Sequence, residues 1–134
     1  MIECNMTIVD ATKVDRNGRL VTREAWQRAI DSEQNKQHMI PVFGHIDFTD
    51  SANLPEIDAG IPMDKIVGFA ECSWFGENIN VNLGLINEAL SDAVFMPAFE
   101  VKPEDIQDID GVPTIKQCKI SYFYATKEPA LNTK

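Results

Sequence analysis

Basic residues, histidines and cysteines are all scarce in this chain of 134 residues. Lys and Arg total 12 against 21 Asp and Glu, which gives a formal charge of -9 and a pI near 4.6. Binding to nucleic-acid phosphates or to anionic lipid needs clustered Lys and Arg, so this charge argues against both kinds of partner. No apolar run approaches the roughly 18 residues of a membrane span, and the N-terminus lacks the basic start and apolar stretch of a signal peptide. We therefore expect an acidic, intracellular protein of one domain that binds neither nucleic acid nor membrane.

The few cysteines and histidines do not form a recognisable site. Cys4, Cys72 and Cys118 are odd in number and widely spaced, and His38 and His45 are the two histidines. A disulfide framework favours an even count, and a zinc site favours close Cys pairs together with His. We therefore expect buried or half-buried thiols, no metal site and no cofactor.

Short segments of alternating apolar and polar residues, separated by turn signals, make up most of the chain. In Ile79–Leu85 every second residue is apolar, which is the period of a half-buried strand. Thr22 is placed as the N-cap of a helix that buries Trp26. The predicted strands are Ile2–Val9, Met39–Phe43, Lys65–Trp74, Ile79–Leu85, Phe95–Val101 and Thr114–Ala125, and a second short helix is predicted at Asn87–Val94.

These segments predict an α+β fold, with a mostly antiparallel curled sheet or small β-barrel of about six strands and two or three short helices. The polar stretches 32–37, 48–64 and 103–110 are expected to be loops, the last with room for one helical turn. Pro41 places its strand at a sheet edge or lies within the first residues of the strand. We expect one domain over residues 1–128 and a flexible tail over 129–134.

Four motifs follow one another along the chain. They are Asn17-Gly18-Arg19 ahead of the first helix, Ile40-Pro41-Val42-Phe43-Gly44-His45, Ile66-Val67-Gly68-Phe69 ahead of a hairpin, and a two-part motif of Met96-Pro97-Ala98-Phe99 and Ile120-Ser121-Tyr122-Phe123-Tyr124-Ala125-Thr126-Lys127-Glu128-Pro129-Ala130. In their order and spacing these motifs resemble the phage prohead (capsid-maturation) proteases, whose fold is similar to that of the herpesvirus assembly proteases. The resemblance covers most of the chain and implies a serine protease scaffold.

The resemblance places His45 at the position of the catalytic base, Met96 at that of the nucleophilic serine, and Lys119 at the third position, where some family members carry Glu. A serine protease needs a nucleophilic hydroxyl within hydrogen-bond reach of the base, and a third group that orients the base. A thioether has no proton to give up, and a lysine disfavours the imidazolium. We therefore expect an inactive site, with His45 as a relic of the base and Met96 on a strand neighbouring that of His45.

The sequence leaves three functional hypotheses. The first is a catalytically inactive structural, decoration or assembly component of a tailed-phage capsid, found in the virion and, during assembly, in the host cytoplasm. Its partners would be the major capsid protein, other head proteins or further copies of itself, with the acidic run 104–110 facing a basic patch. The alternative is an active serine peptidase that uses Ser91 or Ser121 as a displaced nucleophile, or pairs Cys72 or Cys118 with His45. The third, a small acidic inhibitor directed at the host, rests on the charge alone.

Overall fold

The computed structural model describes residues 2–45, 66–86, 93–127, 129 and 131–133. Two short α-helices occur in these ranges, α1 (Arg23–Ile30) and α2 (Glu33–Lys36). The strands of the described residues are β1 (Ile2–Val9), β2 (Leu20–Val21), β3 (Ile40–His45), β4 (Ile66–Phe75), β5 (Asn78–Leu85), β6 (Val94–Glu100), β7 (Ile106–Ile109), β8 (Val112–Ile115), β9 (Lys119–Thr126) and β10 (Asn132–Thr133). Neither helix is long and apolar enough to cross a bilayer, in the part of the chain that is described.

Seven of the strands form one sheet that curls into a half-barrel. Their order is β10-β1-β5-β4-β3-β9-β6, and the remaining three form a small sheet in the order β2-β8-β7. Neighbouring strands are antiparallel except for the parallel pairs β3–β9 and β2–β8. The protein is mostly β, with a curled sheet and few helices, which is consistent with the predicted α+β class. The described residues form ten strands, more than the six or so that the sequence predicts.

One face of the large sheet carries the main core, and α1 packs onto it. Thr22 caps the helix, because its hydroxyl oxygen accepts the Ala25 N–H at 3.1 Å. The indole of Trp26 is fully buried against this face, donates through Nε1 to the Ala11 carbonyl at 2.9 Å, and meets the Phe99 ring edge-on at 5.2 Å. The helix that the sequence predicts from Thr22 is confirmed, with Ala25, Trp26 and Ala29 on its buried side.

The opposite face of the sheet carries a smaller apolar cluster. Because side chains alternate along a strand, Phe43 and Tyr122 point away from Val42 and Phe123, which belong to the main core. Phe43 and Tyr122 contact each other edge-on at 5.3 Å. The main core therefore covers most of one face of the sheet, and the smaller cluster covers part of the other.

The backbone of β4 continues past the point where β3 pairs with it, and α2 covers the gap. β3 begins at Ile40, opposite Ala70, so β3 does not reach Cys72. The Asn35 side chain provides the hydrogen bonds that a longer β3 would have made to Cys72. The Cys72 N–H donates to Asn35 Oδ1 at 2.6 Å, and Asn35 Nδ2 donates to the Cys72 carbonyl at 2.9 Å. The same Nδ2 donates to the carbonyl of Ile30, the last residue of α1, at 2.8 Å. One buried amide thus joins both helices to the sheet.

Several sequence predictions are wrong in detail. The stretch 32–37, predicted to be a loop, contains α2, and the stretch 103–110 contains a 3₁₀ turn at Pro103–Asp105 followed by β7. The single strand predicted at Thr114–Ala125 is two strands, β8 and β9, in different sheets. Pro41 lies in β3, between β4 and β9, so it marks the first residues of a strand and not a sheet edge.

Part of the C-terminal segment 129–134, expected to be a flexible tail, lies within the described residues. Leu131 is buried, and Asn132 and Thr133 pair with Val9 and Ile8 as β10. Residues 131–133 therefore lie against the sheet. The predicted loop 48–64 and the helix predicted from Asn87 lie outside the described residues, except that Val94 belongs to β6.

Candidate functional site

The histidine and methionine expected at the catalytic positions lie on strands that are separated by β9. His45 is in register with Ala125 of β9 on one side, and Met96 is in register with Tyr124 on the other. The expectation of neighbouring strands is therefore wrong. Two strand spacings put the backbones of β3 and β6 about 10 Å apart. The two positions share one end of the sheet but do not adjoin.

Met96 belongs to the main core. Its side chain is 2% exposed, and its neighbour Phe95 is 1% exposed. A buried thioether packs well but offers no proton and no nucleophile. At the position expected for a nucleophile, the structure therefore places a packing residue.

Lys119 lies at the opposite end of β9 from the histidine. It is exposed and faces Glu100 across the ladder to β6. Ala125, the register partner of His45, lies six positions further along β9, a distance of about 20 Å in an extended strand. The third position of the resemblance is therefore not brought to the base.

The alternative nucleophiles of the described residues are also remote from His45. Ser121 lies where β9 bulges against β6, about 13 Å along the strand from Ala125. Cys72 lies six residues along β4 from Ile66, the residue that pairs near the end of β3, so it is about 20 Å away. Ser91 lies outside the described residues.

Both buried thiols are held in the neutral form. Burial, and secondarily the neighbouring Glu71 carboxylate, raise the pKa of Cys72 far above its ordinary value. Burial raises the pKa of Cys118 to about 12, although the Arg19 charge acts in the opposite direction. Because the thiolate is the nucleophile of cysteine chemistry, neither group is activated at neutral pH.

A histidine that the sequence analysis left without a role lies on the open face of the sheet. His38 Nε2 is 3.0 Å from Glu71 Oε2, and Asn82 Nδ2 donates to the other oxygen of that carboxylate at 3.2 Å. Cys4 lines the same cleft of about 530 Å³, but its side chain packs against the main core. No hydrogen bond joins Cys4 to His38 within the described part of the chain, so a base and its orienting carboxylate are present without a paired nucleophile.

A second cleft, of about 490 Å³, opens where α1 ends beside the start of β9. It is lined by three cationic and three anionic side chains, Arg28, Lys102, Lys119, Asp31, Glu100 and Asp105. These charges are spread around the rim, and no ion pair of 4.0 Å or less forms among them in the residues described. Nor do any three His, Cys, Asp or Glu side chains of the described ranges group closely enough to hold a metal ion.

Comparisons with protein-family models, with curated proteins and with solved structures find no match to this chain. The resemblance to the prohead proteases therefore rests on the motifs of the sequence.

Proposed function

We propose that this chain is a catalytically inactive, protease-like protein that acts as a structural, decoration or assembly component of a tailed-phage capsid. The observation that carries the proposal is the burial of the Met96 thioether in the core, at the position where the resemblance expects a nucleophile. The four motifs supply the link to the capsid, and the curled, mostly β architecture is of the coarse class that the sequence predicts.

Peptide-bond cleavage requires a nucleophile, a base and an orienting group within a few ångströms of one another. Here His45, at the position of the base, pairs with Ala125 near one end of β9. Lys119, at the third position, lies at the other end of β9, where it pairs with Glu100. The intervening length of about 20 Å is several times the reach of a hydrogen bond. This separation supports the proposal that the chain is protease-like and lacks the arrangement of groups that peptide-bond cleavage requires.

Exposed apolar side chains support a role in association. Phe75 is 71% exposed beside the turn of the β4–β5 hairpin, and Ile86 is 66% exposed just after β5. Large apolar side chains at such positions contribute to contacts between proteins when they are covered. The major capsid protein, another head protein or a second copy of this chain would supply the cover.

The copy number of the protein in purified mature particles, measured by quantitative mass spectrometry, tests the proposal. A stoichiometric shell or decoration component is expected at hundreds of copies per head. A protein present in precursor particles and absent from mature ones would instead be a transient assembly factor.

Incubation with the capsid precursor, beside a His45→Ala variant, tests the absence of catalysis. We expect no cleavage by either protein. Cleavage that depends on His45 would overturn the proposal in favour of a serine peptidase with a displaced nucleophile. Cleavage by both proteins would point to a contaminating protease and is controlled by a mock purification.

A further inference from the structure

The hairpin formed by β7 and β8 ends the small sheet at an open edge. β8 lies between β2 and β7, and β7 has no strand on its other side among the described residues. All four residues of β7 are exposed, including Ile106 at 45% and Ile109 at 41%. Such an edge presents backbone groups that another strand can pair with.

The hairpin geometry fixes which backbone groups point outward. Asp110 and Gly111 form a two-residue turn with φ values of 52° and 82°, so Ile109 and Val112, which flank it, exchange hydrogen bonds. Such pairs alternate along an antiparallel ladder, so the N–H and C=O groups of Asp108 and the C=O group of Ile106 point away from β8. The Ile106 N–H donates to the Pro103 carbonyl and is not open to a further strand.

Three observations on neighbouring residues confirm this alternation. Pro113, opposite Asp108, has no N–H to give to β7. The carbonyl of Ile115, opposite Ile106, accepts the Thr22 N–H on the far side of β8, at 3.1 Å. The Lys116 N–H donates to the Asp105 carbonyl at 2.7 Å. Asp105 and Lys116 follow directly on the pair Ile106 and Ile115, so a hydrogen bond between them is what the alternation predicts.

The described sheets have other edges. β2 and β10 are two residues long, and β6 carries Pro97 at its centre, which has no N–H to donate. β10 pairs only with Ile8 and Val9 of β1, so among the described residues the preceding part of β1 is also unpaired on that side, but Glu3 is its one charged residue. β7 is four residues long, has no proline and lies among several carboxylates.

Charge selects the kind of strand that fits. Glu104, Asp105, Asp108 and Asp110 lie on or beside β7, and the protein as a whole carries a formal charge of -9. Pairing of β7 with β7 of a second copy would bring these carboxylates together, and like charges across strands are destabilising. A segment with Lys or Arg near its centre would gain from the same carboxylates.

We propose that β7 is a docking edge that binds an extended, Lys- or Arg-containing segment of a partner protein by adding it as a fourth strand to the small sheet. The C=O group of Ile106 and the N–H and C=O groups of Asp108 provide the hydrogen bonds. Alternate side chains of the added strand cover Ile106 on one face and Ile109 on the other. This inference rests on the surface of the chain and stands whether or not the particle it belongs to is a capsid.

Labelled peptides of about eight residues, a usual strand length, test the proposal by fluorescence anisotropy at low salt. Alternating Lys–Val is the probe, alternating Glu–Val controls for charge, and alternating Lys–Gly controls for strand formation. We expect the Lys–Val peptide to bind, and the other two to bind at least about tenfold more weakly, which corresponds to one favourable contact. Equal binding of Lys–Gly would mean a diffuse electrostatic attraction and would overturn the proposal.

Variants of Asp108 locate the binding. Asp108→Pro removes the outward N–H without touching a bond to β8, because Asp108 lies opposite Pro113. It is expected to abolish binding, while Asp108→Asn, which keeps the N–H and loses only the charge, weakens it. Asp108→Lys is expected to exchange the preference, so that Glu–Val binds better than Lys–Val. Far-ultraviolet circular dichroism and the urea midpoint establish that each variant is folded.

Amide hydrogen exchange of the wild-type protein gives a readout that needs no variant. Added Lys–Val peptide is expected to slow exchange at the N–H of Asp108. Exchange at Gln107, which is bonded to β8, and at Ile106, which is bonded to Pro103, should change little. Protection elsewhere, with the Asp108 amide unchanged, would place the peptide at another surface and refute the docking edge.

Discussion

The buried side chain of Asn35 makes the sharpest prediction about stability. It is 5% exposed and makes three hydrogen bonds, two to the Cys72 backbone and one to the Ile30 carbonyl. Asn35→Ala leaves the N–H and C=O of Cys72 without a partner in the interior. Each unsatisfied buried group costs roughly 1–3 kcal/mol. Entry of water into the space reduces this cost, so we expect a loss of about 3 kcal/mol in the free energy of unfolding.

Urea unfolding followed by Trp fluorescence measures this loss. With a slope of about 1–3 kcal/mol per molar for a protein of this size, the urea concentration at the midpoint should fall by about 1–3 M. Asn82→Ala is the matched control, because Asn82 is exposed and its amide makes one surface hydrogen bond to Glu71. Its effect should stay within about 0.5 kcal/mol.

Asn35→Asp separates hydrogen bonding from side-chain volume. The carboxylate has nearly the shape of the amide and can still accept from the Cys72 N–H, but it cannot donate to the two carbonyls. It should therefore destabilise the protein at least as much as Asn35→Ala. A loss below about 1 kcal/mol for both variants would refute the assignment of Asn35 as the group that completes the edge of β4.

The remaining predictions concern close packing and the thiols. Gly68→Ala should destabilise the fold by about 2 kcal/mol or more in the same assay, because a Cβ at Gly68 would overlap the Gly84 carbonyl oxygen. An alkylating reagent should modify half-buried Cys4 in the native protein, and buried Cys72 and Cys118 only after unfolding, as resolved by peptide mass spectrometry; prompt native labelling of Cys118 would contradict its burial. Because the pKa values of Cys72 and Cys118 are raised in the folded state, the folded protein keeps both thiols protonated. In the unfolded chain the same thiols lose their protons above about pH 9.0. The free energy of unfolding should therefore be constant below that pH and fall above it, by about 1.4 kcal/mol per pH unit for each thiol. Urea midpoints across this range should decline less steeply for Cys118→Ala, and an unchanged slope would refute the assignment.

Local signals in the sequence were sufficient for the elements with a clear period. The alternation in Ile79–Leu85 and the cap at Thr22 predicted β5 and α1, because the residues that form each element also determine its period and its start. The strand β7 was not predicted, because acidic residues are depleted in strands. In addition, its two apolar residues, Ile106 and Ile109, are three positions apart, which is the spacing of a helix. The Asp110-Gly111 pair is a hairpin turn signal that would have revealed it.

The relation between distant segments could not be obtained in this way. The insertion of β9 between β3 and β6 decides how far Met96 lies from His45, and no local pattern encodes which strands become neighbours. The role of Asn35 was hidden for a similar reason. Its partner Cys72 is far away in the chain, so a polar residue in a polar stretch carried no sign of burial.

The parallel contact between β3 and β9 has a consequence for the order of folding. β3 lies in the N-terminal half of the chain, and its neighbour β9 is one of the last strands to be synthesised. Closing so long a loop costs chain entropy before any contact repays it, and folds dominated by such contacts form slowly. During synthesis β1, β3, β4 and β5 emerge first, with one side of β3 exposed until β9 leaves the ribosome. The completed sheet is thus a late event, and the nascent chain carries an open strand in the middle of its future core.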